Sequence, residues 1–109
     1  EGPERTDFAY TFPPTKWARD CSVNQLIQGA SIAHEVYEAF SEACDLSHGK
    51  TDADAVAVEV VDVIQACETM LRILERDHGL DAGDAVRAVY EKNDARGYYD
   101  VQGAKDAER

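Results

Sequence analysis

The chain has no long apolar run, which limits the kind of protein it can be. No stretch approaches the roughly 20 apolar residues that a helix needs to cross a bilayer. The first residues, Glu1-Gly2-Pro3-Glu4, have neither the basic nor the apolar part of a signal peptide. We therefore expect a cytoplasmic protein with no membrane partner.

Basic residues are scarce, because 11 Lys and Arg stand against 22 Asp and Glu and the formal net charge is −11. A field of this sign repels phosphate backbones and anionic lipid headgroups, so a nucleic-acid partner is not expected. A polyanionic nucleotide can approach only where a bound metal or a local basic cluster reverses the sign.

Paired cysteines are also missing. Cys21, Cys44 and Cys67 are odd in number and far apart. This excludes the short cysteine pairs of a structural zinc site and of a disulfide framework. Reduced thiols are the simpler interpretation.

All three prolines lie in the first 14 residues, one before and two after the aromatic residues Phe8, Tyr10 and Phe12. This pattern is typical of extended backbone and not of a helix. The sequence therefore predicts three parts: an extended arm at 1–15, a helical domain at 16–101 and a frayed tail at 102–109. Trp17 is expected to pack in the core, with stacking on a nucleotide base as the alternative.

A first helix is predicted from about Val23 to Leu46, with Ser22 and Gln25 as its capping box. Its apolar residues recur at a spacing of three and four, which predicts one stripe facing the core. They are Leu26, Ala30, Ala33, Tyr37, Phe40 and Cys44.

Two further helices are predicted. One begins at the Thr51-Asp52 cap and ends before Gly79, and the other begins at Asp81 and runs to about Ala95, with Gly97 beyond it. Short connections between helices make them antiparallel. We expect an all-α, antiparallel helical bundle, completed by the arm or by oligomerisation into a homodimer or homotetramer.

Two carboxylate pairs are the candidate chemistry of the chain. Glu35 and Glu38 lie three apart on the first helix, and Glu59 and Asp62 lie three apart on the second. Each pair repels itself, and a cation held between the pairs would relieve that cost. Mg²⁺, with Mn²⁺ as the alternative, suits such oxygen ligands.

The same spacing is common on solvated helix faces. A helical wheel places Glu35 nearly opposite the apolar stripe, so one three-helix core does not easily gather all four carboxylates. The fifth residue of the His34-Glu35-Val36-Tyr37-Glu38 segment is Glu, which excludes the zincin signature. For a general base we choose Glu38, because it lies nearer the apolar stripe, where desolvation would raise its pKa.

The Glu35 and Glu38 pair, followed along the chain by the Glu59 and Asp62 pair, resembles the motifs of the MazG-like, all-α nucleotide pyrophosphohydrolase family. The resemblance covers residues 23–99. The resemblance implies four Mg²⁺ ligands and the hydrolysis of a nucleoside triphosphate to monophosphate and pyrophosphate. The implied ligands are Glu35, Glu38, Glu59 and Asp62. His34 departs from the family pattern, which has Glu at that position.

The segment from Lys92 to Tyr99 resembles the C-terminal segment of the same family. Lys92 and Arg96, four apart, are expected to hold phosphate oxygens, with Asn93 and Tyr98 as further substrate contacts. The alternative interpretation is a basic helix end that the helix dipole favours.

Two other functions stay open at this point. One is a non-catalytic helical dimerisation or adaptor module whose carboxylates form only a solvated face. The other keeps the pyrophosphohydrolase chemistry and changes the substrate to a phosphoribosyl-nucleotide.

Overall fold

The computed structural model describes residues 8–99, which contain four helices and no strand. The helices are α1 (Lys16–Arg19), α2 (Gln25–Ser47), α3 (Ala53–His78) and α4 (Ala82–Ala95). The all-helical prediction is confirmed, and the short α1 was not predicted. Residues 1–7 of the predicted arm and the predicted tail at 102–109 lie outside the described residues.

The N-cap of α2 lies two residues after the predicted one. Asn24, and not Ser22, is the N-cap, and its side-chain oxygen accepts from Leu26 N and Ile27 N, both at 3.1 Å. Ser22 instead donates its hydroxyl to Asp20 Oδ1 at 2.7 Å. Both residue types are good caps, and the competing bond to Asp20 decides between them.

The predicted ends of α3 are confirmed. The Asp52 carboxylate accepts from Ala55 N at 2.9 Å, which satisfies an N–H of the first turn. Gly79 ends the helix in the left-handed conformation, with φ of 69°. A side chain at that position would be strained, which explains the glycine.

Helices α2 and α3 pack against each other in antiparallel order. Gln28, near the start of α2, donates its side-chain amide to Ala66 O on α3 at 3.0 Å, and Gly29 lies beside Met70. Further along α2, Glu35 and Glu38 meet the earlier residue Glu59 of α3. The face of α2 that contacts α3 is therefore the one carrying Gln28 and Glu35.

The predicted core stripe of α2 is consequently wrong for this chain. We call its exposed part the outer α2 face: Leu26, Ala30, Ala33, Tyr37 and Phe40. Leu26 is 79% exposed, and Tyr37 and Phe40 are each 66% exposed. An apolar stripe shows which face needs a partner, but in this chain the face of α2 that meets α3 is the one whose Gln28 donates to Ala66 O.

The chain before α2 runs along α3 and is held by polar bonds. Glu68 accepts from Thr11 N at 2.8 Å and from Phe12 N at 3.0 Å. Arg72 donates to Phe12 O at 2.7 Å, and the Tyr10 hydroxyl donates to Glu75 at 2.7 Å. Residues 8–15, the described part of the predicted arm, are non-helical, and residues 10–15 lie against the side of α3.

Arg76 holds the segment that follows α1. Its guanidinium donates to Ala18 O at 3.0 Å, Asp20 O at 3.1 Å and Val23 O at 2.7 Å. Ile73, one turn earlier, has no exposed surface. A small apolar core is thus combined with many polar bonds to the backbone.

The described residues divide into two compact units, one covering residues 10–80 and the other residues 81–99 with residues 8 and 9. In the second unit, Asp81 caps α4 through Gly83 N at 2.8 Å. The rings of Tyr90 and Tyr99 stack with centroids 5.1 Å apart. Gly97 has φ of 81°, in agreement with its predicted place after the helix.

None of the helices formed by residues 8–99 has the length and apolar character that crossing a membrane requires.

Candidate metal centre

Three acidic side chains converge where α2 meets α3. One carboxylate oxygen from each of Glu35, Glu38 and Glu59 lies within 4.8 Å of the other two. The two α2 residues lie on successive turns, and Glu59 comes from the facing side of α3. We call these three the carboxylate cluster.

Asp62, the fourth predicted ligand, lies beside the cluster without joining it. Its carboxylate oxygens are not among those within 4.8 Å. It is one helical turn after Glu59, is exposed, and lines the same cavity as Glu35. The structure thus brings three of the four predicted residues together and places the fourth next to them.

Partial burial and neighbouring negative charges raise the pKa of the Glu59 carboxyl group. Partial burial is the largest cause, and the negative charges of Glu38, Asp62, Glu42 and Glu35 follow in that order. Among residues 8–99, no cationic side chain forms an ion pair with Glu59. Negative charge is therefore concentrated around Glu59.

Glu42 was not predicted to belong to this region. It lies seven residues after Glu35, two turns along the same face of α2, and its charge contributes to the raised pKa of Glu59. The spacing of Glu35 and Glu42 was the available signal. It was missed because only the spacing of three was considered.

Glu38 has a neighbour that the motif did not indicate. His34 Nε2 lies 3.0 Å from Glu38 Oε2, and the Glu38 side chain is 44% exposed. At this exposure the expected burial of the Glu38 carboxylate is not found. His34 thus contacts a cluster member directly.

A cavity of about 390 Å³ adjoins the cluster, with both Glu35 and Asp62 in its wall. This volume falls in the range of small-molecule sites. Its other walls include Thr15, Trp17, Ile27, Gln28 and Thr69. The Trp17 side chain is 51% exposed, so the expectation that it packs in the core is wrong.

The predicted substrate contacts lie in the second compact unit. The Arg96 guanidinium lies over the Tyr98 ring, 5.7 Å from its centroid, and Arg96 Nη1 is 3.3 Å from the Tyr98 hydroxyl. Tyr98 N donates to Asn93 O at 2.9 Å. Arg96 follows α4 as its C-cap in right-handed helical conformation, and its N–H donates to Lys92 O at 3.3 Å, so the two residues lie one helical turn apart.

Comparison with protein-family models, with curated proteins and with solved structures yields no match for this chain.

Proposed function

We propose that the protein is a Mg²⁺-dependent nucleoside triphosphate pyrophosphohydrolase, which releases a nucleoside monophosphate and pyrophosphate. The observation that carries this proposal is the convergence of Glu35, Glu38 and Glu59 within 4.8 Å. The motif resemblance supports the reaction type, and the adjoining cavity supports a small-molecule substrate.

The donor set of the carboxylate cluster fits a hard divalent cation. Mg²⁺ and Mn²⁺ prefer carboxylate oxygens, and Mg²⁺ usually keeps several waters when it binds a nucleotide. Glu35, Glu38 and Glu59 would hold the metal, with Asp62 as the fourth donor one turn away. When bound, the metal neutralises the polyphosphate and polarises a phosphoryl oxygen.

A general base is the second requirement of the reaction, and we assign it to Glu38. Its carboxylate accepts the proton of the attacking water, while the water oxygen forms a bond to phosphorus. The P–O bond between the α- and β-phosphates breaks. His34, 3.0 Å from Glu38, orients this carboxylate.

The cavity is suited to the base and sugar of the nucleotide. Trp17 presents an exposed ring on which a base can stack, and Gln28 and Thr69 supply polar groups nearby. Because Glu35 and Asp62 line the same cavity, a base inside it has its phosphates beside the cluster. Lys92, Asn93, Arg96 and Tyr98 are proposed as phosphate contacts on the strength of the motif resemblance.

We further propose that a second copy of the chain covers the outer α2 face, so that the bundle is a homodimer or a homotetramer. This face consists of leucine, alanine and aromatic side chains without a charge. Burying one leucine or phenylalanine side chain contributes about 1.5–3 kcal/mol. Exposed patches of this kind mark interaction surfaces.

The oligomer is tested by light scattering coupled to size exclusion. The wild type is expected to elute with a multiple of the monomer mass, and the double variant Tyr37→Ser, Phe40→Ser with the monomer mass. His48→Ser, at the exposed end of α2, is the control and should keep the wild-type mass. A monomeric wild type at micromolar concentration would contradict the proposed assembly.

The reaction is tested by incubating the protein with Mg²⁺ and a panel of nucleotides that includes phosphoribosyl-nucleotides. The expected products are pyrophosphate and a monophosphate, and Glu59→Gln and Asp62→Asn should each abolish them. Asp54→Asn, also on α3 but outside the cluster, should retain activity. No turnover of any nucleotide, or release of orthophosphate and a diphosphate, would overturn the proposal.

The exposed outer α2 face also favours a second candidate, a non-catalytic dimerisation or adaptor module. The two functions differ in their response to metal. A ligand at 100 times its dissociation constant stabilises the folded state by about 2.7 kcal/mol. The adaptor predicts no such effect, whereas the enzyme requires it.

A further inference from the structure

A row of charged side chains on one side of α3 fastens the chain that precedes α2. The row consists of Glu68, Arg72, Glu75 and Arg76, spaced so that all four project from one side of the helix. Each of them bonds to a residue between Tyr10 and Val23. We call residues 10–23 the strap.

Glu68 is the most buried member of the row, with 7% of its surface exposed. Its two carboxylate oxygens accept separately from Thr11 N and Phe12 N. Arg72 completes the attachment, because its guanidinium lies 3.7 Å from the centroid of the Tyr10 ring and donates to Phe12 O. A buried carboxylate of this kind is costly unless both oxygens are satisfied, as they are here.

The strap leads directly to the wall of the cavity. Thr15, three residues after Phe12, places its hydroxyl 3.1 Å from the Thr69 hydroxyl. On the other side of Trp17, Ala18 O is held by Arg76 at 3.0 Å. The backbone is therefore fixed both before and after Trp17.

Trp17 itself contributes little to its own placement. Its side chain is 51% exposed, and its described ring contact is with the neighbouring Lys16, 5.2 Å from the centroid. A ring that packed in a core would be positioned by its own burial. The position of this ring depends instead on the bonds that hold the backbone around it.

We propose that Glu68 is a positioning residue, which holds the strap on α3 so that Trp17 forms one wall of the cavity beside the carboxylate cluster. The consequence for nucleotide affinity rests on the proposed function. Glu68 does not touch the substrate, and it acts through the backbone of Thr11 and Phe12.

The chain contains a single tryptophan, so its fluorescence reports on this wall alone. We expect acrylamide to quench Trp17 more strongly in Glu68→Ala than in the wild type, with an intermediate value for Glu68→Gln. The glutamine retains one accepting oxygen for the two backbone N–H groups, and the alanine retains none. Asp54→Asn, on α3 outside the strap contacts, should match the wild type.

Circular dichroism on the same samples separates loss of the strap from unfolding. If Glu68→Ala loses its helices, Glu68→Gln provides the decisive comparison. Wild-type quenching in a folded Glu68→Gln protein would overturn the proposal.

Kinetics then test the effect of the wall on the substrate. Glu68→Gln should raise KM for the best nucleotide while leaving kcat near its wild-type value, because the carboxylate cluster is untouched. A lower kcat with an unchanged KM would overturn the positioning role. If the wild type hydrolyses no nucleotide, the proposed function fails, and the quenching result alone still decides whether Glu68 positions Trp17.

Discussion

Two stretches of α3 differ in what surrounds their glutamate side chains. Around Glu59, carboxylates face one another, and Glu59 itself forms no ion pair within the part of the chain that the structure describes. From Glu68 to Arg76, the four charged side chains that hold the strap each have a hydrogen-bonding partner. The pKa of Glu59 is raised, and the pKa of Glu68 is lowered.

The causes of these two pKa shifts explain the difference. Burial opposes the ionisation of both groups and is the largest single contribution to each. At Glu68, hydrogen bonds from Thr11 and Phe12 and the charge of Arg72 together outweigh it. At Glu59, further carboxylates add to it. Glu68 thus has hydrogen-bond donors and a cation as its neighbours, whereas Glu59 has further carboxylates in their place.

The largest expected effect is on the free energy of unfolding, in which variants of Glu68 and Glu59 should differ. Glu68→Ala leaves two backbone N–H groups without their acceptor and should lower the free energy of unfolding by roughly 1–3 kcal/mol. Glu59→Gln removes charge repulsion, so without metal it should leave stability unchanged or increase it. Urea unfolding followed by circular dichroism measures both, and equal losses in the two variants would break the comparison.

A smaller loss of stability is expected when the N-cap of α2 is removed. Asn24→Ala should lower the free energy of unfolding by about 1 kcal/mol, because Leu26 N and Ile27 N lose their acceptor. Ser22→Ala should change it by less than about 0.5 kcal/mol, since Ser22 is exposed and does not cap α2. The same urea titration decides, and the reverse order would restore Ser22 as the cap.

The smallest expected effect is in the pH dependence of the melting temperature. A raised carboxyl pKa means that the folded state takes up the proton more readily, so lowering the pH through the pKa of Glu59 should increase stability. The stabilisation from Glu68 is present above the ordinary glutamate pKa and is lost as the pH falls through its lowered value.

Variants separate the two contributions to this profile. Glu59→Gln should lose the initial gain on acidification, and Glu68→Gln should lose the later decline. The difference in melting temperature between each variant and the wild type is the quantity to follow. A constant difference across the acid range for both variants would show that neither carboxyl titrates as described.

Local signals in the sequence predicted much of the fold. Asp52, Gly79 and Asp81 mark helix ends because a cap depends on the few residues beside it. The prediction of Ser22 as the cap was wrong because Asn24, two residues later, is also a good cap and takes that position. Helix α1, with four residues, is too short to show a period.

Signals that depend on distant contacts were weaker. The outer α2 face has a clear apolar period, but a period does not say whether its partner is α3 or a second chain. Glu68 bonds to Thr11 N, and Arg76 bonds to Ala18 O beside Trp17, each across more than 50 residues, and such contacts leave no pattern in the sequence. The convergence of Glu35 and Glu38 with Glu59 depends on which face of α2 meets α3.

The central claim is that the carboxylate cluster is a metal site, and the melting temperature with and without Mg²⁺ tests it most directly. We predict that Mg²⁺ raises the melting temperature of the wild type, and that this rise is absent in Glu59→Gln but retained in Asp54→Asn at the same ionic strength. An equal rise in all three proteins, or no rise in the wild type at millimolar Mg²⁺, would contradict the claim.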